Sequence, residues 1–250
     1  MLVPRLMFVH AHPDDESLWT GGAIARHVAR GGELEVVMAT WAPGTRRHTE
    51  LCRALGELGV TAEPVTLGYA DDGVPESAPG RPKLCEAVFS HEVRELVSHI
   101  RRFRPHAIVT YDPFGVYGHR DHIHTHRLAC AAADAAALPT LYRRHGAPWR
   151  VRSLYFATVP EKMIDEVSDD LFPGVPRADL PGTPPDLVDV EMDVSAFVDR
   201  KQAAIAAHRT EVVRSQTISM LMALPQDKLD HLLGSECYMR RDLVPGGCEL

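Results

Sequence analysis

The stretch Leu6-Met7-Phe8-Val9-His10-Ala11-His12-Pro13-Asp14-Asp15-Glu16 decides how this chain folds. Four bulky apolar residues, Leu6 to Val9, run without polar alternation and stop at HAHPDD, as a strand buried on both faces of a parallel sheet does. Asp14 to Ser17 then supply capping chemistry for a helix over residues 18–29, which ends at Gly31-Gly32. A strand, a sharp polar turn and a helix in that order open an α/β fold.

The rest of the first half repeats the unit. LEVVMAT over 34–40 reads as a second strand, residues 45–58 carry Leu51, Leu55 and Leu58 at helical spacing, and 65–67 is a short strand before the Gly/Asp/Pro-rich loop 68–82. Residues 84–103 predict one long amphipathic helix, AIVTY over 107–111 a third long buried strand, and 123–137 an Ala-rich helix. This β-α-β-α order predicts an α/β, Rossmann-like, mostly parallel sheet with flanking helices. Beyond residue 138 the pattern changes to strands over 154–159 and 188–194, a proline-rich surface loop over 170–185, and a helix over 196–213. The expectation is a single domain, 1–250, in which a core of 1–137 is joined by a C-terminal elaboration, 138–250, that completes the sheet and the pocket.

Composition narrows the partners. With 250 residues, a net charge of −7 and no basic stripe, the chain is a poor match for nucleic acid or an anionic membrane, so the expected partner is a small molecule. No apolar run approaches the roughly 20 residues a membrane helix needs. The five cysteines are scattered and contain no C-x-x-C pair, which points to reduced thiols in a cytoplasmic setting. The bare sheet edge of such a fold is where a second copy would pair, so a homo-oligomer is open.

Two clusters carry chemistry. His12-Pro13-Asp14-Asp15-Glu16 lies just past the first strand, and ligands of open α/β sheets gather at the carboxyl ends of strands. Two adjacent carboxylates beside a histidine are costly unless a positive charge sits among them, although a plain helix-capping role would also use Asp14 and Asp15. Tyr117-Gly118-His119-Arg120-Asp121-His122 follows the third long strand, and a helix starting near Arg120 would let His119 and His122 face the same way. His27, His124 and His126 read better as satisfied or solvated residues. Together the clusters offer two imidazoles and a carboxylate for a metal, with a carboxylate and an imidazole left over. Zn2+ suits that set, and Fe2+ does too.

These residues carry a resemblance. AHPDDE followed about a hundred residues later by G-H-x-D-H resembles the LmbE/PIG-L family of zinc-dependent N-acetylglucosaminide deacetylases, including the mycothiol- and bacillithiol-pathway members. RLMFVHAHPDDESL, AIVTYDP, YGHRDHIHTH and AAHRTEVV all take part, so the likeness covers most of the chain and thins between Leu138 and Pro185. It implies His12, Asp15 and His122 as metal ligands, and Asp14 as the general base toward water. It implies His119 as a protonated imidazole facing the oxyanion with Asp121 orienting it, Tyr117 over the site, and Arg47 and Asp71 as sugar contacts. Two positions depart from the family pattern. The loop usually reading T-x-G-E-x-G is Thr40-Trp41-Ala42-Pro43-Gly44, and Glu211 replaces the glutamine of H-x-S/T-Q.

The expected reaction is hydrolysis of the acetamide of an N-acetylglucosamine-type glycoside. An amidase cutting a larger acyl group, as in a mycothiol conjugate, would need the same metal chemistry, as would a deacetylase of a glycosylated secondary metabolite. A non-catalytic metal or sugar binder would have no use for a free base at Asp14. A nucleotide-dependent oxidoreductase lacks its G-x-G-x-x-G after the first strand.

Overall fold

The computed structural model describes residues 3–250. Strands β1 (Leu6–His10), β2 (Leu34–Thr40), β3 (Val65–Tyr69), β4 (Ala107–Tyr111), β5 (Ser153–Thr158), β6 (Val190–Asp193) and β7 (Ser235–Asp242) form one sheet in the order β3-β2-β1-β4-β5-β7-β6. The first five are parallel, and β7 runs antiparallel to both β5 and β6. The α/β reading of the sequence therefore holds, and so does the mostly parallel sheet.

Every residue of β1 is buried, because helices cover both faces of the sheet. Leu6 and Phe8 pack toward α1 (Asp15–Ala29), α2 (Arg46–Glu57) and α7 (Val198–Ala207), meeting Ile24, Leu51 and Ala204. Met7 and Val9 point the other way, to Leu96 of α3 (Phe89–Phe103) and Leu128 of α5 (Arg120–Ala137). The period of two in strand geometry thus splits one apolar run between two cores.

The chain lays β2 and β3 on one side of β1 and then crosses back to lay β4 on the other. Such a reversal of strand order opens a crevice beyond the carboxyl ends of the two central strands. HAHPDD leaves β1 there, and the short turn α4 (Gly115–Gly118) leading to His119 leaves β4 there.

The elaboration differs from its sequence reading in several places. Residues 84–86 form a separate 3-10 turn ahead of α3, since Ala87 and Val88 are extended. The helix expected over 196–213 breaks at His208 into α7 and α8 (Arg209–Arg214), because the His208 imidazole turns inward to Glu16. Helices α6 (Glu161–Leu171), α9 (Gln216–Met222) and α10 (Gln226–Leu233) and strand β7 have no counterpart in the sequence reading. In β7, Glu236 accepts hydrogen bonds from the backbone N–H groups of Gly22 and Ala23 and from Lys201 Nζ, which ties α1 to the sheet. Among the described residues no helix is long and apolar enough to cross a membrane.

Candidate metal centre

The turn between β1 and α1 is unusual at one residue. Asp14 adopts φ 138°, a region that side-chain-bearing residues rarely occupy, and its side chain makes no capping hydrogen bond. Its backbone N–H is held by Glu16 Oε2 at 3.0 Å, and His208 Nε2 braces the other oxygen of Glu16 at 2.7 Å. A strained turn propped from behind is what a displayed carboxylate requires, and a simple helix cap needs none of it. The capping role open in the sequence does not describe Asp14.

His12, Asp15 and His122 converge at the switch point. His12 Nδ1 lies 3.2 Å from His122 Nε2 and 3.4 Å from Asp15 Oδ2, and His122 Nε2 lies 3.2 Å from Asp15 Oδ1. Each imidazole is oriented through its other nitrogen. His12 Nε2 lies 3.0 Å from Asp121 Oδ2, and His122 Nδ1 lies 3.2 Å from the Gly115 carbonyl, so the facing nitrogens keep their lone pairs. All three side chains are nearly inaccessible, at 8% exposure or less. Burying this much polar chemistry in one place is unfavourable without a cation, and the donor set fits a divalent metal.

Asp15 is fixed by residues the sequence reading did not single out. Tyr111 Oη donates to Asp15 Oδ2 at 2.6 Å and accepts the Ala11 N–H at 2.6 Å, while its ring stacks on His122 with centroids 4.1 Å apart. Trp19 Nε1 donates to Asp15 Oδ1 at 3.1 Å. The available signals were a tyrosine ending the AIVTY strand and a tryptophan four positions after Asp15 on the helix. Gly115 is demanded by space: a Cβ there would lie 2.7 Å from His122 Cβ and 2.8 Å from the Ile123 nitrogen.

His119 caps α5, its Nδ1 accepting the Asp121 N–H at 3.2 Å, which leaves the proton on Nε2. Burial and the neighbouring His12 and His122 lower its pKa. Donor atoms of His12, His119 and His122 all lie within 4.8 Å of one another. Asp121 has a different partner from the one expected. Its carboxylate reaches His12, the Asp72 N–H and the Cys85 thiol, because its own position in the first turn of α5 aims it away from the His119 ring. Tyr117 is half exposed at the rim, its ring centroid 5.1 Å from that of His122.

Arg47 is 2% exposed, with Nη2 on Asp14 Oδ1 at 3.1 Å and on the Pro13 carbonyl, Nη1 on Glu211 Oε2 at 3.2 Å, its guanidinium over the Trp41 ring, and its buried Nε unpaired. Both departures from the family pattern therefore meet at Arg47. Asp71 Oδ2 accepts from Trp41 Nε1 at 3.1 Å and lies 3.7 Å from His12 Nε2. Burial pushes the Asp14 carboxyl up to about 7, with Arg47 opposing and Asp15 adding to the rise. His124 and His126 are occupied elsewhere, with Glu92 and with the Tyr111 carbonyl.

Fold and donor set together define a metal-dependent hydrolase of the α/β type. Residues 7–133 match the family model described as PIG-L: GlcNAc-PI de-N-acetylase, and the chain belongs to this family of enzymes. The 1D-myo-inositol 2-acetamido-2-deoxy-alpha-D-glucopyranoside deacetylase of Mycolicibacterium gilvum is 37% identical over 272 aligned residues, covering 92% of this chain and 90% of that one. The solved structure of a conserved protein from Thermus thermophilus matches with a TM-score of 0.64 at 25% identity, over 100% of this chain and 98% of that one. The N,N'-diacetylchitobiose deacetylase of Pyrococcus horikoshii shares the fold, with a TM-score of 0.64 at 18% identity over 97% of this chain and 87% of that one.

Proposed function

We propose that this enzyme removes the N-acetyl group from an N-acetylglucosamine-type glycoside, with His12, Asp15 and His122 holding the metal. The observation that carries the reading is Asp14, a buried carboxylate released from helix capping that lines the same cavity as His12 and Asp15. Zinc is the ion we assign, on the preference of two imidazoles and one carboxylate, and Fe2+ would use the same donors. When bound, such an ion supplies Lewis acidity and brings the pKa of water down to about 7.

The side chains divide the remaining work. Asp14, with its proton affinity raised by burial, takes the proton from water and returns it to the leaving amine as the C–N bond breaks. His119 Nε2–H donates to the oxygen that gains charge at the former carbonyl carbon. Tyr117 at the rim is placed to polarise the carbonyl, and Asp121 keeps His12 in its ligating tautomer. Asp71 faces the sugar. Arg47 is committed to Asp14 and Glu211, so its first task is to position the base, with any sugar contact secondary. The five scattered cysteines support a reducing, cytoplasmic setting for the reaction.

The test is acetate and amine release from methyl 2-acetamido-2-deoxy-glucoside by zinc-loaded protein. A chelator and Asp14→Ala should each abolish it. No acetate from any N-acetylglucosaminide, or equal rates with Asp14→Ala, would sink the proposal.

A further inference from the structure

The cavity that contains His12, Asp14 and Asp15 encloses about 480 Å3 and continues well past them. Arg47, Asp71 and Glu211 line it beside the donor set, and the charged groups further along are already paired, Lys201 with Glu236 and Arg214 with Glu211. The remainder is walled by the C-terminal elaboration. Met163 and Leu171 of α6, Phe172 and Leu180 of the following loop, and Ile218 and Leu221 of α9 line it. All six side chains are only half-buried, so apolar surface is left facing the cavity. Ile218 and Leu221 belong to one continuous apolar cluster that also takes in Leu18 of α1, which joins this wall to the helix carrying Asp15.

Such a wall gives a polar aglycone little, because the hydroxyls of Ser215 and Thr217 are the uncharged polar groups of α9 and its cap that reach it, and Ser215 already accepts the Ile218 N–H. An inositol bears a hydroxyl on every ring carbon, and those groups would give up water and gain few partners there. A hydrocarbon, by contrast, would bury its surface and that of the six side chains together. The floor under the donor set is closed, since Tyr111 is stacked on His122 and packs with Ala11 and Val116. A chain reaching α6 and α9 therefore leaves the reaction centre on its open side, which the deacetylase reading gives to the sugar rather than to the small acetyl group.

Resting on the deacetylase reading above, we propose that the substrate is an N-acetylglucosaminide with a hydrocarbon aglycone, which lies in the chamber between α6 and α9. This is a binding site distinct in chemistry from the metal centre, and it would separate the enzyme from relatives named for an inositol glycoside.

The experiment compares n-octyl and methyl 2-acetamido-2-deoxy-glucosides, below the micellar concentration, with methyl 2-octanamido-2-deoxy-glucoside, using the zinc-loaded full chain. The octyl glycoside should exceed the methyl one in kcat/KM by about tenfold or more, mostly through KM. Ile218→Gln and, separately, Phe172→Gln should each bring that ratio toward one. Tryptophan fluorescence should saturate with n-octyl glucoside and stay flat with methyl glucoside. Equal kcat/KM for the two acetamides, with no octyl-selective binding, overturns the proposal and leaves the deacetylase intact. Preferred turnover of the octanamide also overturns it, by giving the wall to the acyl group. If neither acetamide is cleaved, the deacetylase reading fails, and the fluorescence titration alone decides the site: saturation by the octyl glucoside upholds it and a flat response overturns it.

Discussion

Arg47 and Asp14 form an ion pair inside the cavity, Nη2 to Oδ1 at 3.1 Å, and Glu211 closes on the same guanidinium from the other side. One buried cation therefore serves two buried carboxylates. Arg47→Met should destabilise the fold by about 3–5 kcal/mol, because buried Asp14 loses its cation while Glu211 keeps only the more exposed Arg214. Urea denaturation checks this, and wild-type stability would contradict it. The double variant Arg47→Met/Glu211→Met should recover part of the loss.

Asp14→Asn should lower kcat/KM by about 10²–10⁴, the usual contribution of a positioned base. Metal content should stay near one ion per chain, because Asp14 is left out of the converging donors. His122→Ala should lose the ion as well as the activity. Elemental analysis of the purified variants separates the two cases, and metal loss in Asp14→Asn would reassign that residue.

Tyr111→Phe removes one hydroxyl but keeps the ring on His122. Asp15 loses an orienting donor and the Ala11 N–H loses its acceptor, so metal affinity should fall by about 10–100-fold together with a modest drop in Tm. Competition with a chelating dye measures it. An unchanged affinity would make Tyr111 a packing residue only.

His99 provides a handle on pH remote from the metal centre. Burial and the adjacent Arg102 lower its pKa from 6.5 to about 4, with Glu35 Oε1 3.9 Å away. Between those two values the unfolded chain binds a proton that the folded chain refuses, so stability declines as pH falls through that window. His99→Gln should flatten the drop in Tm between about pH 7 and about pH 5. An unaltered slope would place the titrating group elsewhere.

Much of this was legible in the sequence for local reasons. Buried parallel strands announce themselves as short apolar runs, and HPDD and GHRDH lie within a few residues of the strands that carry them. What escaped reading depends on distant partners. The helix break at His208 needs Glu16, 192 residues away in sequence. Strand β7 looks too polar for an interior position because Glu236 serves α1 and Tyr238 donates to Glu236. Asp121 looked like a partner for His119, two residues away, yet its carboxylate belongs to His12 across the crevice. Helices α9 and α10, of 7 and 8 residues, are too short for periodicity to declare.

The grip of Glu236 on Gly22 and Ala23 spans 214 positions of sequence. Translation makes β1 and α1 long before β7. Until Glu236 emerges, the helix that presents Asp15 lacks its anchor, and β6 has no strand to pair with. The turn that holds Asp14 is thus made long before the strand that anchors its helix, so local folding at β1 and α1 waits on a partner more than two hundred residues downstream.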